Sequence, residues 1–187
     1  MNILFIRHGK TAGNLEKRYI GTTDEELCKE GIHELESRYY PNVTTVVCSP
    51  MKRCIQTAKI IFPDKPILIE ENLRECNFGD FEGKNYSELC NDARYLKWLD
   101  SMGTLPFPNG EPHEYFVNRC IAAFENAVSK LSSVESAAFV VHGGTIMAVL
   151  ERFAVPKKSF YDYQVKNGCG YLCRYESGKI EIVEEIL

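Results

Sequence analysis

NILFIRHGKTAGN, residues 2–14, decides the fold. An apolar run from Ile3 to Ile6 stops abruptly at Arg7, His8 and Gly9. The run is too short for a helix and does not alternate, so it reads as a strand buried on both faces. Two further runs share this character. TTVVCS (44–49) is rich in β-branched residues, and AAFVV (137–141) is wholly apolar. Strands of this kind suit a parallel sheet covered on both sides.

Helical patterns lie between the strands. In SPMKRCIQTAKIIF (49–62), Ser49 is placed to cap a helix and Pro50 to occupy its first turn, with Cys54, Ala58 and Ile61 on one face. In EPHEYFVNRCIAAFENAVSKL (111–131), Val117, Cys120, Ile121, Phe124, Ala127, Val128 and Leu131 form one apolar stripe. GGTIMAVLERF (143–153) is a third helix, starting directly after a strand. YLCRYESGKIEIVEEI (171–186) has two extended stretches around Ser177-Gly178 and reads as a hairpin. With no internal repeat or linker, the expected architecture is one α/β domain over residues 1–187. It is a three-layer sandwich: a mainly parallel central sheet, helices on both faces and antiparallel C-terminal strands.

Composition narrows the function. The 187 residues carry a net charge of −4, and the sequence pI is about 5.7. This excludes an electrostatic footprint for nucleic acid or for an anionic membrane, so any anion site must be local. MNILFI lacks a basic leader and no apolar run reaches membrane-spanning length, which leads us to expect a cytoplasmic protein. The eight cysteines, Cys28, Cys48, Cys54, Cys76, Cys90, Cys120, Cys169 and Cys173, form no C-x-x-C pair. They read as reduced, packed thiols rather than metal ligands.

In open parallel α/β sheets, ligands bind beyond the carboxyl ends of the strands. Arg7, His8 and Gly9 follow the first strand; Ser49 and Pro50 follow the second, with Arg53 soon after; His142, Gly143 and Gly144 follow the third. If these strands are neighbours, two histidines and two arginines converge on one edge. A helix N-terminus adds positive charge there, and the pocket would suit a phosphate group. HGKT also looks like the tail of a P-loop, but that motif needs a glycine where Leu4 stands. A metal site lacks carboxylates or cysteines at ligand spacing, and the arginines would repel a cation.

These residues resemble the histidine phosphatase superfamily, the group that contains the cofactor-dependent phosphoglycerate mutases. RHGKTAGN (7–14) is similar to its signature, YIGTTDEELCKEGI (19–32) to its substrate loop, and SPMKRCIQTA (49–58) to its Ser-Pro, Arg and Gln-Thr-Ala segment. LRECNFGDFEG (73–83) is similar to its acid-bearing segment, NGEP (109–112) to a Gly-Glu step, and VVHGGTI (140–146) to its second histidine motif. The matches keep family order and cover nearly the whole chain. The nearest resemblance is to the short single-domain phosphatases, alpha-ribazole phosphatases of cobalamin synthesis among them.

The resemblance implies a nucleophilic His8 that forms a phosphohistidine. Arg7, Arg53 and a cationic His142 would hold the phosphoryl oxygens. Glu75 would be the proton donor and acceptor, with Glu82 the best rival acid. Asn14, Gly21, Thr22, Glu111 and Gly143 would line the substrate pocket. No metal or other cofactor is implied, and the partner is a small phosphate ester such as alpha-ribazole 5'-phosphate; a homodimer stays open. Lys10 stands where the family usually has Glu and reads as solvated. His33 and His113 read as surface residues, and Trp98 as core rather than lid. A phosphoglycerate mutase is the second reading, and a non-catalytic phosphate-binding module the third. The segment from Gly83 to His142 is shorter than in full-length mutases, which favours hydrolysis.

Overall fold

The computed structural model describes every residue except Ser132. The described residues form six strands, β1 (Asn2–Arg7), β2 (Thr45–Cys48), β3 (Ile67–Ile69), β4 (Ser136–Val141), β5 (Gly170–Glu176) and β6 (Lys179–Ile186), in the order β3-β2-β4-β1-β5-β6. β4 pairs in parallel with β1 on one side and β2 on the other, and β3 continues the parallel set. β5 runs antiparallel to β1, and β6 antiparallel to β5. The three apolar runs are therefore direct neighbours, and their carboxyl ends share one edge. The expected hairpin turns at Ser177 and Gly178, both at positive φ (50° and 74°), the pairing a tight two-residue turn requires.

Seven α-helices among the described residues pack around the sheet: α1 (Ala12–Leu15), α2 (Lys29–Glu36), α3 (Lys52–Ile61), α4 (Tyr86–Leu89), α5 (Ala93–Asp100), α6 (His113–Lys130) and α7 (Gly143–Phe153). Strand side chains alternate between the layers. Ile3, Phe5, Ala137 and Phe139 pack with Phe124 and Ala127 of α6 and Ile146 and Leu150 of α7. Leu4, Ile6, Val46, Ala138 and Val140 pack with Cys54 and Ala58 of α3 on the opposite face. Fully burying each such large aliphatic or aromatic side chain contributes about 1.5–3 kcal/mol. A third cluster sits beside the sheet, where Phe81, Leu89, Tyr95, Trp98 and Phe107 pack with Phe116 of α6.

One expected helix start moves. α3 begins at Lys52 with Met51 as its N-cap and no side-chain cap, so Ser49 does not cap it and Pro50 precedes its first turn. The Ser49 hydroxyl has a different partner, His142. No helix among the described residues is long and apolar enough to cross a membrane.

Candidate active site

β1 delivers Arg7 and then His8 to the sheet edge, where His8 is 4% exposed. Its Nδ1 lies 2.7 Å from the Gly9 carbonyl oxygen. A carbonyl only accepts, so Nδ1 carries the ring proton and Nε2 keeps its lone pair. Burial, followed by the positive charges of Arg53 and Arg7, holds His8 well below the usual imidazole range. His8 is thus a neutral imidazole with a free nitrogen, although it sits among cations.

The two arginines anchor backbone as well as charge. Arg7 Nη1 donates to the Val165 carbonyl at 2.8 Å. Arg53, fully buried on the first turn of α3, donates from Nη1 to the Thr23 carbonyl (2.8 Å) and from Nη2 to the Gly21 carbonyl (2.9 Å). The Nε atoms of both are buried with no hydrogen-bond partner among the described residues. Buried cationic donors without an acceptor fit an anion.

His142 follows β4, and its ring centroid lies 5.2 Å from that of His8. Its Nε2 is 2.7 Å from Ser49 Oγ, which also accepts from the Met51 amide at 3.4 Å. Ser49 Oγ and His142 Nε2 thus share one hydrogen bond, and the Cys54 thiol lies 3.5 Å from the same nitrogen. Burial, then Arg53, His8 and Arg7, holds His142 well below the usual imidazole range. The expected cationic imidazole is instead held neutral, because burial and then the neighbouring Arg53, His8 and Arg7 all disfavour its charged form.

Glu75 approaches from the segment after the 3-10 turn Glu71–Leu73. Its Oε1 accepts from the Cys76 amide (2.9 Å) and its Oε2 faces the Gly144 amide at 3.5 Å. Burial pushes the carboxyl above its ordinary value, against the opposing pull of those amides and of Arg53 and Arg7. A proton held on a carboxyl at higher pH is what a general acid needs. A Cβ at residue 144 would lie 2.6 Å from Glu75 Oε1 and 2.8 Å from the Phe116 ring, so any larger residue there would have to displace the carboxylate or the ring.

Arg7, His8, Asn14, Glu75, Gly143 and Gly144 line one cavity of about 460 Å³. Asn14 is held through Oδ1 by the Thr11 amide and by Asn167 Nδ2, both at 3.1 Å. Arg53 and His142 stand behind this surface, both fully buried. Three expected pocket residues lie outside the cavity lining. Glu111 forms an ion pair with Arg119 (2.8 Å). Thr22 is exposed. Gly21 serves by close approach: a Cβ there would lie 1.9 Å from the Cys76 carbonyl, so the glycine seats its loop against the segment that carries Glu75. His113, expected at the surface, lines the cavity and packs on Phe160 at 5.0 Å.

The family model for the histidine phosphatase superfamily (branch 1) matches residues 3–185. The chain belongs to that superfamily. It is 27% identical over 178 residues to the adenosylcobalamin/alpha-ribazole phosphatase of Escherichia coli K12, covering 90% of this chain and 87% of that protein. It is 29% identical over 161 residues to a 2,3-bisphosphoglycerate-dependent phosphoglycerate mutase of Cytophaga hutchinsonii, covering 79% and 75%. Among solved structures, the alpha-ribazole phosphatase of Shigella flexneri superposes with a TM-score of 0.87 at 23% identity, over 100% of this chain and 96% of that one. At that identity the superposition bears on the fold.

In this histidine phosphatase the rival acid has another task. Glu82 Oε1 accepts from the Gly21 amide, the Thr23 amide and the Thr23 hydroxyl, each at 2.9 Å, and so clasps the 20–23 loop. Lys10 is pinned to Glu30 (2.7 Å) and Glu34 (2.6 Å) of α2, which lift its pKa to about 12. Sequence reading missed Arg119, which donates to the carbonyls of Asn72 (2.7 Å), Arg74 (2.9 Å) and Glu75 (3.4 Å) while paired with Glu111. It clamps the backbone that presents the acid. It also missed Asn167, which ties the His8 carbonyl to Asn14. Neither carries a local pattern, since the carbonyls that Arg119 and Asn167 hold lie more than forty positions away along the chain.

The buried histidines set a pH dependence of stability. Both have folded pKa values below the ordinary 6.5, so below that pH the unfolded chain binds more protons. Stability then falls as pH falls, by up to about 1.4 kcal/mol per pH unit for each histidine. The raised pKa of Glu75 acts in the opposite sense but is a single group. The thermal midpoint should drop between roughly pH 7.5 and 5.5. A midpoint that is flat or rises over that window, followed by calorimetry, would contradict a neutral buried pair.

Proposed function

We propose that this histidine phosphatase hydrolyses small organic phosphate monoesters through a phosphohistidine on His8, without a metal ion. The observation that carries the reading is the state of His8. It is neutral, it is tied through Nδ1 to Gly9, it keeps Nε2 free, and it shares a cavity with a carboxyl of raised pKa. In the first step Nε2 attacks phosphorus, the ester P–O bond breaks, and the Glu75 carboxyl protonates the leaving oxygen. In the second step water attacks phosphorus, Glu75 takes the water proton, the P–N bond breaks and neutral His8 returns. Phosphoryl transfer asks the protein mainly for positioning and charge stabilisation. Arg7, Arg53, the imidazole of His142 and the N-terminus of α7 supply the stabilising groups.

Alpha-ribazole 5'-phosphate is the first substrate to test, from the names of the relatives, and the setting is a reducing cytoplasm where the thiols stay free. The assay follows phosphate release from a panel of phosphomonoesters after extended dialysis, with and without a strong chelator. The expected result is turnover unchanged by the chelator. Complete loss, restored by one added metal, would point to a metallophosphatase. A mutase is tested with 3-phosphoglycerate and catalytic 2,3-bisphosphoglycerate: interconversion much faster than phosphate release would reverse the choice.

A further inference from the structure

The turn that leads into β5, residues 165–169, grips the end of β1. Arg7 donates its backbone amide to the Cys169 carbonyl (2.9 Å) and Nη1 to the Val165 carbonyl (2.8 Å). The Gly168 amide donates to the carbonyls of Arg7 (2.9 Å) and His8 (3.2 Å). Asn167 Nδ2 lies 3.1 Å from both the His8 carbonyl oxygen and Asn14 Oδ1. The turn is itself fixed from behind. Arg38 Nη1 donates to the Asn167 carbonyl (3.0 Å), and the Tyr40 hydroxyl donates to the Gly168 carbonyl (2.8 Å). Gly168 sits at a φ of +72°, where a side chain would strain the turn.

Backbone groups settle the orientation of both side-chain amides. A carbonyl only accepts, so the Asn167 atom facing His8 is Nδ2. A backbone N–H only donates, so the Asn14 atom facing the Thr11 amide is Oδ1. Nδ2 of Asn167 has two protons, and the His8 carbonyl and Asn14 Oδ1 take both. Its other polar atom, Oδ1, is an acceptor and repels a phosphoryl oxygen. Asn14 is the reverse case. Its Oδ1 is engaged twice, which leaves Nδ2 as its donor for the cavity that both side chains line. The Thr11 bond is part of the cap on α1, a single turn of four residues. So short a helix has little stability of its own, and the second bond to Asn14 comes from outside it.

We propose that Asn167 is a positioning residue for phosphoryl transfer: it holds the Asn14 amide with Nδ2–H toward the phosphoryl oxygens and ties that donor to the backbone of His8. The inference rests on the phosphatase reading for what enters the cavity. It assigns Asn167 an action through Asn14 rather than through a contact of its own with the phosphate. Were Asn14 to turn over, a lone pair would face the anion in place of a proton.

Inorganic phosphate is the first probe, because its binding needs no turnover. In heteronuclear NMR spectra the Asn14 side-chain amide, identified by its loss in Asn14→Ala, should shift as phosphate saturates the wild type. In Asn167→Ala that shift should shrink, and phosphate should bind about 10–100-fold more weakly, the scale of one hydrogen bond to a charged group. A wild-type amide that does not respond to saturating phosphate would overturn the proposal, whether or not the variant folds. The second measurement is a double-mutant cycle on kcat/KM for p-nitrophenyl phosphate. Asn167→Ala should cost about 10–100-fold in the wild type, but about two-fold or less in Asn14→Ala. The His8 carbonyl keeps the Gly168 amide in both backgrounds, so a merely structural loss would be equal in the two. An equal loss would overturn the proposal and leave the phosphatase reading standing. Phosphate affinity coupled between Asn14 and Asn167, without hydrolysis of any ester, would do the reverse.

Discussion

His8→Ala lowers phosphatase turnover by about 10⁴–10⁶-fold, the scale set by removing a covalent nucleophile, while the far-UV dichroism and the cooperative thermal transition persist. The expectation follows from the free ring nitrogen of His8, which faces the cavity beside two arginines whose Nε–H groups have no partner among the described residues. The Gly9 carbonyl accepts from Nδ1–H, and burial, then Arg53 and Arg7, keeps Nε2 unprotonated before substrate arrives. Alanine removes the attacking atom but leaves Arg7, Arg53 and the α7 N-terminus in place, so phosphate still binds. Rapid quenching of the wild type should trap a phosphoenzyme that survives base and is lost in acid, as a P–N bond is. Full activity in the variant, or an acid-stable phosphoserine, would sink the mechanism.

Glu75→Gln should separate the two half-reactions. An alkyl leaving group departs as a strongly basic alkoxide and needs a proton, so phosphorylation of His8 slows by about 10²–10⁴-fold. With p-nitrophenyl phosphate the leaving group is weakly basic, and the first step needs little acid help. The second step requires a base for water whichever ester was used. The variant should therefore release a burst of nitrophenol and then stall as phosphohistidine. Glu82→Gln should not stall, because Glu82 clasps Gly21 and Thr23 rather than facing the cavity, and an amide oxygen can still accept those donors. A rapid-mix experiment on both variants decides: a burst and stall in Glu82→Gln with normal turnover in Glu75→Gln would exchange their roles. The same raised pKa shapes the pH profile. With an alkyl ester, kcat/KM should fall as pH rises through the Glu75 pKa, above the ordinary carboxylate value of 4.5. With an aryl ester that limb should weaken.

The strands were legible because a doubly covered parallel strand must be apolar on both faces, and three such runs ending in His-Gly or Ser-Pro are hard to arrange otherwise. The hairpin was legible because Ser177-Gly178 meets a local backbone demand. The start of α3 was misread for a related reason: Ser49-Pro50 is a good local helix opening, but the serine hydroxyl is taken by His142, 93 positions along the chain. The ion pair of Glu111 with Arg119 on α6 was not read either, since the place of Glu111 before Pro112 says nothing of that partner. Trp98 was expected in the core; it is buried there and also lines the cavity.

By itself, the sequence determined the three central strands, three of the helices, the C-terminal hairpin, the parallel character of the central sheet and the residue types at three strand exits, because these depend on periodicity and turn chemistry over a few residues. Tertiary structure decided the chemistry of the site. The position of β4 between β1 and β2 brings His142 to His8; burial then removes water from both rings while Arg7 and Arg53 close in, and neutrality follows. What separates Glu75 from Glu82 is desolvation and the hydrogen-bond partners contributed from distant segments. Charge states of this kind are properties of a surrounding, and the surrounding exists only once the chain has folded.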